Sequence, residues 1–190
     1  MSWAVFLRAV NVGGTNRCQP ALIAKELEKF GVVNIGAVGT FVVRKDVSEA
    51  TLRKKIAVQL AKAFGVKCEI MICPAKEIVD LVRQWTDSQW RAKEDPLRGV
   101  RGDDIDAHVS IMAQRPPKII GKLPIYVPSR DKWEIKIANV IGRAAICFRR
   151  RVKNGRLYPN AVVEKQFGIA ATTRSWNTID KVVKILEANR

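Results

Sequence analysis

Apolar and polar positions fall into periodic blocks along the first half of the chain, and each block predicts an element. Trp3 to Val10 is an apolar run with strand character, closed by the turn residues Asn11-Val12-Gly13-Gly14-Thr15-Asn16. A helix is expected to start at Pro20, which suits a first turn, and to stop at Gly31, with Ile23, Leu27 and Phe30 recurring on one face. Two short strands follow near Asn34–Val38 and Phe41–Arg44, split around Gly39. Ser48 is placed to cap a second helix whose inner face reads Leu52, Ile56, Leu60 and Phe64, and Gly65 ends it. Residues 67–73 make a fourth strand.

The order β-α-β-β-α-β is the split βαβ plan of a ferredoxin-like sandwich, with both helices on one face of a four-stranded antiparallel sheet. Pro74 starts a third helix with Ile78, Val82 and Trp85 inward. From Asp87 to Asp106 periodicity is lost and charge gathers around Pro96, Gly99 and Gly102, the pattern of a linker. Strand-like runs return at Ala107–Met112, Pro124–Val127, Trp133–Val140 and Arg143–Phe148. Two helices close the chain, one from Pro159 to Gly168 and one carrying Ile179, Val182, Val183 and Leu186 on a single face. The expected fold class is α+β: a ferredoxin-like subdomain over 1–86, a linker over 87–106 and a second, smaller α+β subdomain over 107–190.

Charge narrows the choice of partner. The 190 residues are 47% hydrophobic, enough to build a core, yet carry 34 Lys and Arg against 18 Asp and Glu, a net charge of +16. So large a surplus favours anionic partners: nucleic acid, acidic headgroups, phosphorylated metabolites or an acidic protein. The surplus is uneven, with 15 basic and 10 acidic residues through Asp95 but 19 and 8 after it. Between Ala107 and Arg156, twelve basic residues face only Asp131 and Glu134. The densest part, Arg143, Arg149, Arg150, Arg151, Lys153 and Arg156, surrounds an Asn154-Gly155 turn and reads as a basic hairpin tip. Such a tip would either lie against a phosphate backbone or remain a solvated sheet edge. The segment Val38–Val43 lacks the paired aromatics of an RNA-reading strand, and Phe41 reads as core. A polyanion such as nucleic acid is therefore expected to be held by phosphate contacts, with little base readout and a steep salt dependence.

Other classes find little support. Met1–Leu7 lacks a basic leader, Arg8 interrupts the apolar run, and no span approaches bilayer length, so a soluble cytoplasmic protein without membrane association is expected. Cys18, Cys68, Cys73 and Cys147 lack zinc-site spacing, and they read as small buried thiols with no metal or cofactor implied. His108, the only histidine, sits in an apolar run and reads as a satisfied structural residue. Asp103-Asp104-Ile105-Asp106 reads as a turn and a solvated edge. No general acid–base pair stands out, so the sequence carries no claim of catalysis and leaves the question of an enzyme open.

Two polar motifs lie near the ends of the chain. In the first, Asn11, Gly13, Gly14, Asn16 and Arg17 could turn successive N–H groups toward an anion near a helix start, although neither a Walker loop nor G-x-G-x-x-G is present. In the second, Thr172, Arg174, Trp176 and Asn177 join capping residues to an arginine beside an indole. The two could hold a phosphate, nucleotide or sugar phosphate between them. The plainer reading favours a tight turn for the first and a capped helix with a buried cation for the second.

Together, Phe6-Leu7-Arg8-Ala9-Val10-Asn11-Val12-Gly13-Gly14-Thr15-Asn16-Arg17 and Thr172–Thr178 with Lys181 resemble the family known as domain of unknown function 1697. Ala9 stands where the family pattern has glycine, and Ser175 where it has asparagine. A polar loop of that pattern corresponds to Ala37-Val38-Gly39-Thr40, of which only the glycine is kept. The resemblance implies a ferredoxin-like first part joined to a second α+β part, and no established activity.

Overall fold

The computed structural model describes residues 2–14, 16–87, 105–117 and 122–188. Two units emerge, Met1–Val79 with Asp180–Arg190, and Asp80–Ile179. The expected division at 86 and 107 thus differs from these bounds. Most of the expected linker (88–104, with Asp103 and Asp104) lies outside the described residues.

The first unit runs β1 (Trp3–Leu7), α1 (Pro20–Glu26), a 3-10 turn (Glu28–Phe30), β2 (Val32–Asn34), β3 (Thr40–Val43), α2 (Glu49–Phe64) and β4 (Ile70–Pro74). Its sheet has the order β2-β3-β1-β4, and every neighbouring pair is antiparallel. Alternation along the strands sends Trp3, Val5, Leu7, Phe41, Val43, Ile70 and Ile72 to one face, where they meet Ile23 and Leu27 near α1 and Leu52, Ile56 and Leu60 of α2. Both helices therefore lie on the same side. Ser48 Oγ accepts the Thr51 N–H at 3.2 Å to start α2, and Gly65 closes it in the left-handed region. The first helix is shorter than its periodicity predicts. The Leu27 N–H is shared between the Ile23 and Ala24 carbonyls, the chain tightens into the 3-10 turn, and Gly31 ends it at φ +64°.

The second unit takes in much of α3 (Ala75–Asp87), then β5 (Ile105–Met112), β6 (Ile125–Val127), β7 (Ile135–Ile141), β8 (Ala144–Arg150), α4 (Pro159–Phe167) and β9 (Ala171–Ser175). The last helix, α5 (Trp176–Glu187), follows. The five strands are antiparallel in the order β6-β7-β8-β5-β9. Val162, Val163 and Phe167 of α4 cover Ile135, Ile137, Ala145, Cys147, Met112 and Ala171 on one face. The chain is thus an α+β protein, with two antiparallel sheets and five α-helices among the described residues. None of those helices is long and apolar enough to cross a membrane.

Two expectations are corrected here. The basic hairpin tip is not at Asn154-Gly155: that turn, closed by the Gly155 N–H on the Val152 carbonyl at 3.0 Å, leads from β8 into α4. The hairpin turn is Gly142-Arg143, where Ile141 pairs with Ala144 and Gly142 takes φ +60°, as a two-residue turn with glycine first requires. Thr172–Arg174, expected at a helix start, form strand β9 instead.

Gly39 has a steric reason to be glycine. It adopts φ +69°, its carbonyl accepts the Leu7 N–H at 2.8 Å, and a Cβ would sit 2.6 Å from Leu7 Cδ1. Gly39→Ala is expected to cost about 2–4 kcal/mol, combining left-handed strain with overpacking of a buried leucine. Urea unfolding measures it, and a cost below about 1 kcal/mol would contradict the steric account.

Candidate functional site

The Asn11 loop is built by its own side chains. From Ala9 (φ +53°) through Asn11 (+55°) to Gly13 (+61°) every second residue takes a positive φ. Asn11 uses both hydrogens of its amide inside the protein, donating from Nδ2 to the Cys18 carbonyl at 2.9 Å and the Ala37 carbonyl at 2.6 Å. Its Oδ1 accepts the Cys18 N–H at 2.9 Å, and its backbone N–H donates to the Asn16 carbonyl at 3.3 Å. Asn16 Nδ2 in turn donates to the Ala9 carbonyl at 3.0 Å. These bonds tie the β1–α1 connection to the β2–β3 connection. Gly13, Gly14 and Arg17 are exposed, and a Cβ on either glycine would meet no atom within 4 Å, so dihedral freedom and not space accounts for both glycines. Beside the loop a depression of about 380 Å³ is lined by Arg8, Ala9, Asn16, Lys67, Cys68 and Glu69, and Arg8 pairs with Glu69 at 3.5 Å.

The second motif lies in the other unit. Thr172 and Arg174 are buried in β9, where Arg174 donates from Nη1 to Thr172 Oγ1 at 2.8 Å and the Thr173 carbonyl at 2.9 Å. Burial pushes its guanidinium down to about 10, which leaves it charged at neutral pH. Ser175 Oγ caps α5 by accepting the Thr178 N–H at 3.4 Å. The Trp176 ring packs 6.2 Å from Trp85, whose ring is 5.8 Å from Phe148, and Asn177 is exposed.

The basic set separates into two places. Arg143 occupies the β7–β8 hairpin turn, about 20 Å of strand from Arg149 at the other end of β8. At that far end each arginine meets a different group. Arg149 lies 4.8 Å over the Tyr158 ring, and Arg150, sent to the opposite face by alternation, lies 4.4 Å over Trp133. Arg151 holds Asp106 through two bonds at 3.0 and 2.6 Å, and these bonds keep the Asp106 carboxyl below the usual carboxylate range. Lys153 and Arg156 are exposed in the turn beyond. Next to Trp133, Tyr126 stands between Lys136 at 5.3 Å and Arg130 at 5.9 Å. Sequence reasoning did not nominate Tyr126, Trp133 or Tyr158. The usable signal was an aromatic, Tyr158, within a few residues of an unopposed arginine run.

Register also gathers Asp106, His108, Ser110, Cys147, Thr173 and Ser175 on the face that carries Arg149. This resembles a nucleophile constellation, but its electrostatics are wrong for one. Burial pushes the Cys147 thiol up to about 12, so it stays protonated, and Ser110 Oγ is engaged with Thr173 Oγ1 at 2.7 Å. His108 departs from expectation, because its buried Nε2 has no hydrogen-bond partner among the described residues. Desolvation lowers its pKa, Asp106 opposes that shift and Arg149 reinforces it.

Fold and site thus describe a two-unit α+β protein with a stapled Asn-Gly-Gly loop in one unit and an arginine–aromatic strand end in the other. The family described as protein of unknown function DUF1697 matches residues 1–136, and the chain belongs to it. The matched span includes the Asn11 loop and stops short of β8. No curated protein matches the chain. Among solved structures it is similar to the conserved bacterial protein SP0830 from Streptococcus pneumoniae, at 15% identity and a TM-score of 0.56, over 97% of this chain and 98% of that one. At that identity the likeness concerns the fold alone.

Two outcomes follow from this geometry. Ala9 bears left-handed strain that glycine would relieve, so Ala9→Gly should raise the unfolding free energy by about 0.5–1 kcal/mol, after allowing for the greater freedom of glycine in the unfolded chain. An unchanged denaturation midpoint would contradict that strain. For His108 the folded pKa is depressed, so the unfolded chain binds the proton more readily. Stability should then fall as pH drops through 6.5 toward the folded value. Melting temperatures at several pH values should show a steeper loss in the wild type than in His108→Phe, and parallel curves would refute the assignment.

Proposed function

We propose that this is a basic binding protein whose second unit engages a polyanion through phosphate contacts, nucleic acid being the class that fits best. The observation that carries the reading is the end of β8, where Arg149 and Arg150 are held over Tyr158 and Trp133 beside the exposed Arg151, Lys153 and Arg156. A ring takes only the face of a guanidinium, leaving its in-plane N–H edges for an oxyanion, and it fixes the side chain before the ligand arrives. Arg143, at the far end of the strand, belongs to a different surface.

A phosphorylated small molecule at the Gly13-Gly14 loop is the second reading, favoured by the depression that Arg8, Asn16 and Lys67 line. It ranks lower because Arg8 is paired with Glu69 and the Asn16 amide with Ala9. We also read the first unit as a ferredoxin-like sandwich, supported by its element order and its strand order β2-β3-β1-β4. A reducing compartment such as the cytoplasm suits four free thiols, three of them buried.

A salt-titrated gel shift with single- and double-stranded DNA and RNA tests the polyanion reading. With about five contacts, affinity for single strands should fall roughly a hundredfold between about 50 and 200 mM salt. Replacing Arg151, Lys153 and Arg156 together by serine should flatten that slope, whereas Arg143→Ser should leave it nearly unchanged. Absence of binding at low ionic strength, or a triple variant that binds like the wild type, would sink the reading.

A further inference from the structure

We infer that the polyanion is a single-stranded nucleic acid and that Tyr158, backed by Arg149, is the platform on which one of its bases stacks. This rests on the polyanion reading above and adds to it a strand preference that charge alone cannot supply. Tyr158 is 58% exposed, and it is the one aromatic in the exposed class among the described residues. Of the other rings near the basic strand end, Trp133 is 6% exposed and Trp85 7%, and the half-buried Tyr126 already carries Lys136 and Arg130 against it. Tyr158 stands at the N-cap of α4, yet its side chain makes no capping hydrogen bond there.

The backbone beneath the ring is anchored. Pro159 follows Tyr158, buried in the first turn of α4, so the backbone at the ring is fixed by a packed helix start. Arg149 lies over the ring at 4.8 Å, a contact that orients the ring and places a cation beside whatever stacks on it. Val152, 38% exposed, adds apolar surface in the same turn, and Arg151, Lys153 and Arg156 surround the segment with charge. An open π face beside cations that can follow a backbone is the arrangement that binds single strands with little regard for sequence. A duplex keeps its base faces stacked on one another and cannot use the ring. A sulfated polysaccharide has no base to offer and can use only the cations.

The test compares three labelled probes with the full-length protein at low salt: oligothymidylate, the duplex it forms with oligodeoxyadenylate, and a heparin fragment of comparable charge. Tyr158→Ala should weaken oligothymidylate binding about tenfold or more and leave duplex and heparin affinities within about twofold, while Tyr158→Phe, which keeps the ring, should bind like the wild type. Circular dichroism and melting confirm that each variant is folded, as expected for an exposed side chain. If Tyr158→Ala affects all three probes equally, or none of them, the stacking role is overturned and the phosphate-contact reading stands. If the wild type binds no probe, the polyanion reading fails and this inference fails with it.

Discussion

Strand β5 is paired on both sides, with β8 from Ile105 opposite Arg150 to Ile111 opposite Ala144, and with β9 from His108 opposite Ser175 to Met112 opposite Ala171. Because side chains alternate, a slip of one residue on either side would turn a whole strand over and expose its apolar row. The register is fixed by what the two faces must bury: Cys147 and Ala145 go beneath α4, while Phe148 meets Trp85 on the other face. Everything of functional interest in the second unit follows from that parity. It places Arg149 on the face of Asp106 and His108, sends Arg150 to Trp133, and sets Arg174 opposite Val109 in the buried part of the sheet.

The first unit depends on a smaller device. Three loop carbonyls, those of Ala9, Cys18 and Ala37, would have to find water if Asn11 and Asn16 did not reach them. Satisfying them from side chains lets the connection run through left-handed positions without a regular turn. A residue type that looks like a ligand-binding group in sequence is, in this loop, a structural clamp whose donors are already committed. Val12, the glycine pair and Arg17 face outward.

Much of the fold was legible because its signals are local. The faces of α2 and α5, the Ser48 cap and the glycine stops at Gly65 and Gly168 depend on residues within a few positions of one another, and they fall where periodicity places them. Strand β9 was not legible: Ala171-Thr172-Thr173-Arg174-Ser175 is short and polar, and it is a strand because β5 offers it a free edge, which is a tertiary fact. Asn154-Gly155 misled for the opposite reason, since a strong hairpin dipeptide serves here as a strand-to-helix turn. The candidate site was half visible. The arginine run stood out by count, with Tyr158 a short way along the chain, but the pairing of Arg150 with Trp133 needs β7 laid beside β8, and no spacing rule announces that.

The remaining question is how a folded strand end tolerates Arg149, Arg150 and Arg151 in succession. Alternation separates the middle one, so only Arg149 and Arg151 share a face, at a spacing of about 7 Å. Asp106 stands opposite Arg149 in register and bonds Arg151, so a single carboxylate lies against both cations. The lowered pKa of Asp106 is the same interaction seen from the carboxylate's side. Glu134, the other nearby acid, accepts the Leu157 N–H and helps hold the turn. Lys153 and Arg156 are placed in the exposed turn, where water screens their charge. The repulsion is thus resolved within the fold at the strand and passed to solvent at the turn. That division leaves the turn as the segment whose cations gain most from an arriving anion.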